Sequence, residues 1–291
     1  MHRHLIPGWV TISALLVVAC RSQDQRPALS DTGGTAGPAT ATAAPNVVTV
    51  HARDYAFDAP EQIPAGMTTF RLVNDGSTFH HMVIVRLDSG KALADVQQAL
   101  RTPGPPPRWA VFVGGPDAPD PRGEANATVD LPAGNYALLC FVDVPGGVPH
   151  FAKGMTRALT VTPSSGPHAA APVADEVITL RDYRFDLSKE PLSAGRHTFE
   201  VRTAATQAHE LELIQLAPGR AGKDVLAWIS KMQGPPPGHG IGGTAPSAPG
   251  VPVYFTADLT PGEYLLICFL PDAKDGKPHF VHGMMQQIKV G

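Results

Sequence analysis

The sequence lacks an excess of charge of either sign, and it lacks an apolar run long enough to span a membrane. Its 23 basic and 26 acidic residues give a net charge of −3, which excludes the basic surface typical of nucleic-acid binding. The apolar run at 5–19 is shorter than the roughly 20 residues that a membrane-spanning helix needs. Glycine and proline, 29 and 30 of 291 residues, argue against long helical bundles. The length allows one large domain or two of ordinary size.

The first twenty residues resemble a bacterial lipoprotein signal. A short basic start and an apolar stretch lead to Val-Val-Ala-Cys at 17–20, which is similar to a lipobox, where the cysteine is acylated and the chain is cut before it. We therefore expect a signal peptide at 1–19 and lipidation of Cys20. The alternative is an ordinary secretory signal with an incidental cysteine. Residues 20–45 are small, polar and proline-bearing, which predicts a disordered tether behind the lipid.

The remainder of the chain contains one unit twice. The motif Arg-Asp-Tyr-x-Phe-Asp at 53–58 recurs at 181–186, and Gly-Pro-Pro-Pro and Gly-x-Tyr motifs recur at offsets between 128 and 130. A repeat of this length is a domain rather than a solenoid unit. We place the two domains at 46–163 and 175–291, joined by a linker of small residues and prolines at 164–174.

Short apolar runs rich in β-branched residues predict strands in each copy, among them 47–50, 68–73 and 82–85. Only 91–100 and 222–232 are typical of helices, and each is followed by a Gly-Pro-Pro-Pro run that cannot continue a helix. Several strands with one inserted helix favour a β-sandwich. The sequence therefore predicts an all-β fold of two tandem β-sandwiches, each with one short inserted helix.

Each copy carries histidine, cysteine, histidine and methionine in the same order. The first set is His80, Cys140, His150 and Met155, and the second is His209, Cys268, His279 and Met284. A thiolate and two imidazoles with a weak axial thioether suit a copper ion that alternates between Cu(I) and Cu(II). A site that satisfies both oxidation states needs little rearrangement, which fast electron transfer requires.

This pattern resembles the cupredoxins, or blue copper proteins, whose signature is G-x-Y-x3-C followed by H-x4-M. All eight residues match that signature and its preceding histidine, and the resemblance covers both copies. It implies Greek-key β-sandwiches and two copper ions per chain. One departure is the segment between cysteine and histidine, at 141–149 and 269–278, which is longer than in plastocyanin-like members and nearer to that of copper nitrite reductase.

Two histidines are adjacent in the first copy, and the alternation of a β-strand helps to choose between them. Aligning the copies pairs His80 with His209, which shares an inward face with the leucines that follow it at alternate positions. Glu210 and Glu212 point away from that face. His80 is therefore the predicted ligand, and His81 its outward neighbour.

Three other interpretations stay open. A disulfide between Cys140 and Cys268 requires Cα atoms within about 7 Å of each other. A metal-free cupredoxin-like binding module is favoured if the long loops keep cysteine and histidine apart. An enzyme similar to multicopper oxidases or copper nitrite reductases is disfavoured, because no His-x-His pair follows residue 4 and Leu139 and Ile267 precede the cysteines. We therefore expect that the chain is not an enzyme.

The combined expectation is an exported copper protein, anchored in the cell envelope by the lipid on Cys20, that carries single electrons or holds copper. Its partners are then a redox protein and a membrane, and not nucleic acid. Arg21 follows the cysteine in place of the aspartate that commonly retains lipoproteins at the inner membrane, which favours the outer membrane.

Overall fold

The structure, a computed structural model, describes residues 43–102 and 104–291. The predicted signal peptide at 1–19, Cys20 and the tether up to residue 42 lie outside the described residues. Within the described ranges, no helix is long and apolar enough to cross a membrane.

The first half of the described chain is built of eleven strands and one α-helix. They are β1 (Asn46–Arg53), β2 (Ala56–Asp58), β3 (Gln62–Pro64), β4 (Gly66–Asn74), β5 (Val83–Leu87), α1 (Leu93–Ala99), β6 (Ala110–Phe112), β7 (Glu124–Leu131), β8 (Gly134–Leu139), β9 (Asp143–Val144), β10 (Val148–Pro149) and β11 (Thr156–Thr162).

The second half repeats this order with fewer strands. They are β12 (Glu176–Arg181), β13 (Arg184–Leu187), β14 (Gly195–Thr203), β15 (His209–Leu216), α2 (Gly222–Ile229), β16 (Gly238–Ser247), β17 (Pro252–Leu259), β18 (Gly262–Ile267) and β19 (Met285–Val290). A short 3₁₀ helix follows the last loop of each half, at His150–Lys153 and at His279–His282.

The strands form two sandwiches that share one long sheet. Its order is β13-β12-β14-β17-β7-β4-β1-β2, and β7 and β17 join the halves through the pair Thr128 and Tyr254. A five-stranded sheet, β3-β11-β8-β5-β6, faces the β1, β4 and β7 part across one apolar core. A four-stranded sheet, β16-β15-β18-β19, faces the β12, β14 and β17 part across another. We refer to these as the first and second sandwich.

Each core is filled by residues at alternate strand positions. Val50 and Leu72 of the long sheet are buried against Ile84 and Leu138 of the five-stranded sheet, and Phe199 lies at the corresponding place in the second sandwich. Such alternation places one face of each strand in the core. The predicted all-β fold of sandwiches with small helical insertions is confirmed.

Both helices lie inside the ranges predicted for them, on the outer faces of the smaller sheets. The third residue of each helix is an aspartate, whose side chain accepts a hydrogen bond from the backbone N–H of the residue before the helix. Asp95 accepts from Ala92 at 2.9 Å, and Asp224 accepts from Ala221 at 2.8 Å. A carboxylate in the first turn also opposes the positive end of the helix dipole. Val96 of α1 packs with Leu139, so the helix covers the back of the strand that leads to Cys140.

The sandwiches meet through two crossing segments, 113–119 and 241–247, which run antiparallel. Bridges pair Val113 with Ser247, Pro116 with Thr244 and Pro119 with Ile241. The Ala245 N–H donates to the Gly115 carbonyl at 2.8 Å, and the Gly114 N–H donates to the Pro246 carbonyl at 3.0 Å. The two halves are therefore hydrogen-bonded to each other along this line.

Glycine is required where each crossing segment passes over the strand that follows the first histidine. Gly115 has a φ of +134°, and a Cβ there would lie 2.0 Å from the Met82 carbonyl oxygen. Gly243 has a φ of +139°, and its Cβ would lie 1.8 Å from the Leu211 carbonyl oxygen. Residues that carry a side chain rarely adopt a backbone φ in this range, and there is no space for a Cβ atom, so both positions require glycine.

Candidate metal centres

Neighbouring antiparallel strands bring the first histidine and the cysteine of each copy together. His80 lies three residues before β5, and Cys140 directly follows β8, which pairs with β5. In the second sandwich His209 begins β15, and Cys268 directly follows β18, which pairs with β15. The end of one strand and the start of its neighbour therefore define each site.

The long segment between cysteine and histidine folds back on itself. In the first sandwich it forms the small hairpin of β9 and β10, after which the His150 N–H donates to the Val142 carbonyl at 2.8 Å. In the second, the His279 N–H donates to the Leu270 carbonyl at the same distance. The extra residues extend away from the site, so the histidine returns to the cysteine despite the loop length.

The methionines are held close to the cysteines by the backbone. Gly154 ends the first 3₁₀ helix with a φ of +106°, and the Met155 N–H then donates to the His150 carbonyl at 3.0 Å. The Cys140 N–H in turn donates to the Met155 carbonyl at 3.3 Å. Met284 has the same bonds, with His279 and Cys268. Both methionine side chains are fully buried.

Site 1 consists of His80, Cys140, His150 and Met155. The Nδ1 atoms of His80 and His150 are 3.1 Å apart, and Cys140 Sγ is 3.5 Å from His150 Nδ1. All four residues are fully buried. The structure therefore brings together the two imidazoles and the thiol that the sequence predicted.

Site 2 consists of His209, Cys268, His279 and Met284, and it has the same arrangement. The Nδ1 atoms of His209 and His279 are 2.9 Å apart. Cys268 Sγ is 3.3 Å from His279 Nδ1 and 4.0 Å from His209 Nδ1. As in site 1, all four residues are fully buried.

An aspartate fixes the tautomer of the first histidine in each site. Asp54 Oδ1 lies 2.9 Å from His80 Nε2, and Asp182 Oδ1 lies 3.1 Å from His209 Nε2. Because a carboxylate only accepts hydrogen bonds, each Nε2 carries the proton and each Nδ1 keeps its lone pair facing the site. A carboxylate behind a ligating histidine both orients the ring and makes it a stronger ligand.

The loop before the first histidine holds each of these aspartates in place. Ser77 donates to Asp54 from its backbone N–H at 3.0 Å and from its hydroxyl at 2.5 Å. Thr206 does the same for Asp182, with its hydroxyl at 2.9 Å. These bonds keep both carboxylates ionised and hold the pKa of Asp54 and of Asp182 below the usual value.

Burial controls the protonation of the ligands. It lowers the pKa of His150 and of His279 to about 4, helped by the neighbouring histidine of each site. These imidazoles are therefore neutral near pH 7, which is the form that binds metal ions. Burial also raises the pKa of Cys140 to about 12, so the metal-free thiol is protonated. Metal binding there must release a proton from sulfur.

Both groups fit a copper ion. Metal bonds of about 2.0 to 2.3 Å to nitrogen and sulfur leave neighbouring ligand atoms about 3 to 4 Å apart, which is the separation seen in each site. The donors are two neutral imidazole nitrogens and one thiol sulfur, the set that accommodates both Cu(I) and Cu(II). The Nε2 atom of the second histidine, His150 in site 1 and His279 in site 2, is buried and has no hydrogen-bond partner among the described residues.

A tyrosine covers the second histidine of each site. The Tyr55 ring meets the His150 ring edge-on, with 4.9 Å between centroids, and the Lys153 ammonium lies 4.8 Å from the Tyr55 ring. The Tyr183 ring meets the His279 ring in the same way at 5.7 Å. Each second histidine thus packs against an aromatic ring.

Three polar residues face away from the core of their own sandwich, as the alternation predicts, but they do not face solvent. They are His81, Glu210 and Glu212. All three are buried, because each sandwich covers that face of the other. His81 Nε2 accepts the Phe141 N–H at 2.8 Å, and Glu210 Oε1 accepts the Phe269 N–H at 2.7 Å. Each residue next to the first histidine thus bonds to the residue next to the cysteine.

Asp54, Asp182, Tyr55 and Tyr183 are the site residues that the sequence analysis missed. All four belong to the Arg-Asp-Tyr motif, which served there only to establish the repeat. The signal that could have identified them is the pair of an aspartate and a tyrosine that recurs at the same place in both copies.

The disulfide alternative does not hold, since Cys140 and Cys268 are both free and buried in separate sandwiches.

No protein-family model matches the chain, and no curated protein matches it. Among solved structures, auracyanin A, a "blue" copper protein from Chloroflexus aurantiacus, is 21% identical, with 41% of this chain and 100% of that chain covered and a TM-score of 0.29. A multicopper oxidase is 12% identical, with coverages of 84% and 88% and a TM-score of 0.26. The copper nitrite reductase of Nitrosomonas europaea is 14% identical, with coverages of 84% and 93% and a TM-score of 0.25. The similar structures thus include a blue copper protein, as the resemblance to cupredoxins predicts.

These comparisons correct the expectation that the chain is not an enzyme, because two of the similar structures are enzymes. The expectation rested on the lack of His-x-His pairs. A search for His-x-His pairs cannot find groups assembled from different strands.

Proposed function

We propose that the chain binds two copper ions, one in site 1 and one in site 2, and transfers single electrons through them. The observation that carries this proposal is the convergence, twice in one chain, of two histidine ring nitrogens and a cysteine Sγ within 4.8 Å of one another. Asp54 and Asp182 support it, because they leave the metal-binding nitrogen of the first histidine unprotonated.

Copper held by this donor set supplies a one-electron couple between Cu(I) and Cu(II). The chain's own residues keep the surroundings constant between the two states. The backbone bonds among Cys140, His150 and Met155 fix their spacing, and the full burial of the site excludes water. Electrons are proposed to enter and leave by the second histidine, whose ring lies against Tyr55 in site 1 and against Tyr183 in site 2.

We further propose that the protein is exported and held in the cell envelope by a lipid on Cys20. The lipobox-like sequence at 17–20 supports this placement, and the polar stretch behind it gives the sandwiches reach from the membrane. The partner is proposed to be another redox protein. Metabolic labelling with a fatty acid tests the anchor, and Cys20→Ser is expected to lose both the label and the membrane association.

A copper titration followed by visible absorption tests the metal sites. We expect two copper ions per chain and an intense blue band from thiolate-to-copper charge transfer. The double variant Cys140→Ser/Cys268→Ser is the control and is expected to remain colourless. Weak absorption typical of nitrogen and oxygen ligands in the unaltered protein would contradict electron transfer. No copper binding at all would favour the metal-free binding module.

A further inference from the structure

Asp117, Glu210 and Glu212 form a carboxylate cluster between the two sandwiches. Asp117 comes from the crossing segment of the first sandwich, and the two glutamates come from β15 of the second. Their exposed fractions are 2%, 3% and 6%. The cluster lies outside sites 1 and 2, and the proposed function does not use it.

No lysine or arginine in the described ranges forms an ion pair with these carboxylates; the one charged-group neighbour is His81, with Nδ1 3.5 Å from Asp117 Oδ1. Burial, together with the charge of Asp117, raises the pKa of Glu212 well above the usual value. Buried carboxylates need either a proton or a cation to balance their charge. No lysine or arginine among residues 43–102 and 104–291 supplies such a cation.

The two oxygens of Asp117 differ in their hydrogen bonds. Asp117 Oδ1 accepts the Ala118 N–H at 2.8 Å, whereas Asp117 Oδ2 is buried with no hydrogen-bond partner among the described residues. On the opposite side, Glu210 Oε1 accepts the Phe269 N–H. Asp117 and Glu210 each place a carboxylate oxygen within 4.8 Å of the other. A buried acceptor of this kind needs a proton, a water molecule or a cation as its partner.

His81 lies within reach of the cluster, but its hydrogen bonds exclude it as a metal ligand. Its Nε2 accepts the Phe141 N–H, so the lone pair of the neutral ring is already used there. The proton is then on Nδ1, which faces Asp117. His81 therefore orients Asp117, and the ligands that remain are carboxylate oxygens.

We propose that the carboxylate cluster binds one divalent cation between the two sandwiches, held by Asp117 and Glu210, whose carboxylate oxygens converge there. Oxygen ligands of this kind suit Mg²⁺, Ca²⁺ or Mn²⁺ rather than the copper of sites 1 and 2. Because the ligands come from both sandwiches, the bound cation ties the two halves together.

Manganese binding to the whole protein tests this site. Sites 1 and 2 are first filled with cuprous ion, which gives no EPR signal, and Mn²⁺ is then counted by the loss of the EPR signal of the free ion. We expect one Mn²⁺ per chain with a rise in Tm, since an ion that binds only the folded state stabilises it. The manganese count does not depend on whether copper binds, so failure of one assignment leaves the other standing.

Asp117→Asn is expected to lose the manganese and the rise in Tm. It removes a buried negative charge, so it is expected to fold at least as well without metal. Asp75→Asn is the matched control, because Asp75 pairs with His51 at 2.8 Å on the exposed surface. Unchanged manganese binding in Asp117→Asn, or none in the unaltered protein at about millimolar Mn²⁺, would show that protons alone balance the cluster and would overturn the proposal.

Discussion

Sites 1 and 2 share their ligands but differ in what surrounds the second histidine. In site 2, Tyr183 donates a hydrogen bond to Asp272 at 2.6 Å, and Gln207 donates to the same carboxylate at 2.8 Å. Asp272 Oδ2 lies 3.9 Å from His279 Nε2. Site 2 therefore has a buried negative charge beside its second histidine, held by these two hydrogen bonds and by a third from the Lys274 backbone N–H at 2.8 Å.

Site 1 has no such charge. The position that matches Asp272 holds Val144, as the parallel hydrogen bonds of His150 and His279 to Val142 and Leu270 show. Thr78 stands at the position of Gln207. The comparison teaches that the ligands, the aspartate behind the first histidine and the backbone bonds were kept in both copies, whereas the cover over the second histidine changed. Two centres with the same ligand set can then differ in potential.

The largest expected effect is loss of a whole centre. Cys140→Ser is expected to remove the copper of site 1 and its share of the blue absorption, because a serine hydroxyl does not replace a thiolate as ligand. Cys268→Ser is expected to do the same for site 2. Copper analysis and visible spectra of each variant measure the outcome. If one substitution removes both coppers from a folded protein, the two sites are not self-contained.

The next largest effect tests what the two sites share. Asp54→Ala is expected to weaken copper binding at site 1 by about 10- to 100-fold, because His80 loses the carboxylate that fixes its tautomer. Asp182→Ala is expected to have an equal effect at site 2. Competition with a chelator measures both affinities.

Two variants control for the position of that aspartate. Asp58→Ala removes a carboxylate of the same motif that pairs with Arg53 on the surface, and it is expected to leave copper affinity unchanged. Asp54→Asn retains an oxygen that accepts from Nε2 and is expected to restore much of the affinity. If alanine and asparagine are equally harmful, the charge rather than the tautomer is what matters.

A smaller effect tests where the sites differ. Asp272→Asn removes the negative charge near His279, which stabilises the more positive Cu(II) state, so the midpoint potential of site 2 is expected to rise by on the order of tens of millivolts. Val144→Asn, a polar but uncharged change at the matching position, is the control in site 1. Spectroelectrochemistry of each variant, with the other site removed by its Cys→Ser change, resolves the potentials. An unshifted site 2 would mean that Asp272 is electrostatically silent.

The smallest effect concerns the metal-free protein and is expected to be equal in both sites. The pKa values of His150 and His279, about 4, lie below the ordinary value of 6.5, so the unfolded chain binds more protons between these limits. Stability is therefore fully present above about pH 6.5 and is lost as the pH falls towards 4. Urea unfolding across this range measures the slope. His150→Gln and His279→Gln are each expected to reduce it by up to about one proton, and unequal reductions would reveal a difference between the metal-free sites.

The ligands could be predicted because their residue types recur at nearly fixed spacing in both copies. The strands and the two helices could be predicted from alternation, β-branched runs and the Gly-Pro-Pro-Pro ends. The roles of Asp54 and Asp182 could not, because they depend on the loop that carries Ser77 or Thr206 folding back beside the first strand. That contact joins residues more than twenty positions apart.

The burial of Glu210 and Glu212 could not be predicted from the sequence either. Alternation indicates which face of a strand a residue occupies, and that face was assigned correctly. What covers the face depends on how one sandwich docks on the other. No local pattern encodes this docking, so a residue that faces away from its own core looked like a solvent-facing one.

The crossing segments give the interface the symmetry of a homodimer within one chain. Pro116 pairs with Thr244, and these two residues occupy the same position of the repeat. Each crossing segment therefore contacts its own counterpart, as the two subunits of a homodimer do at a two-fold axis. Covalent linkage frees the two faces from having to stay identical. The counterparts of Glu210, Glu212 and Asp117 are His81, Val83 and Ala245. A dimer of identical subunits would bury every carboxylate twice, whereas the fused chain buries each of these three carboxylates once and has histidine, valine and alanine at the matching positions.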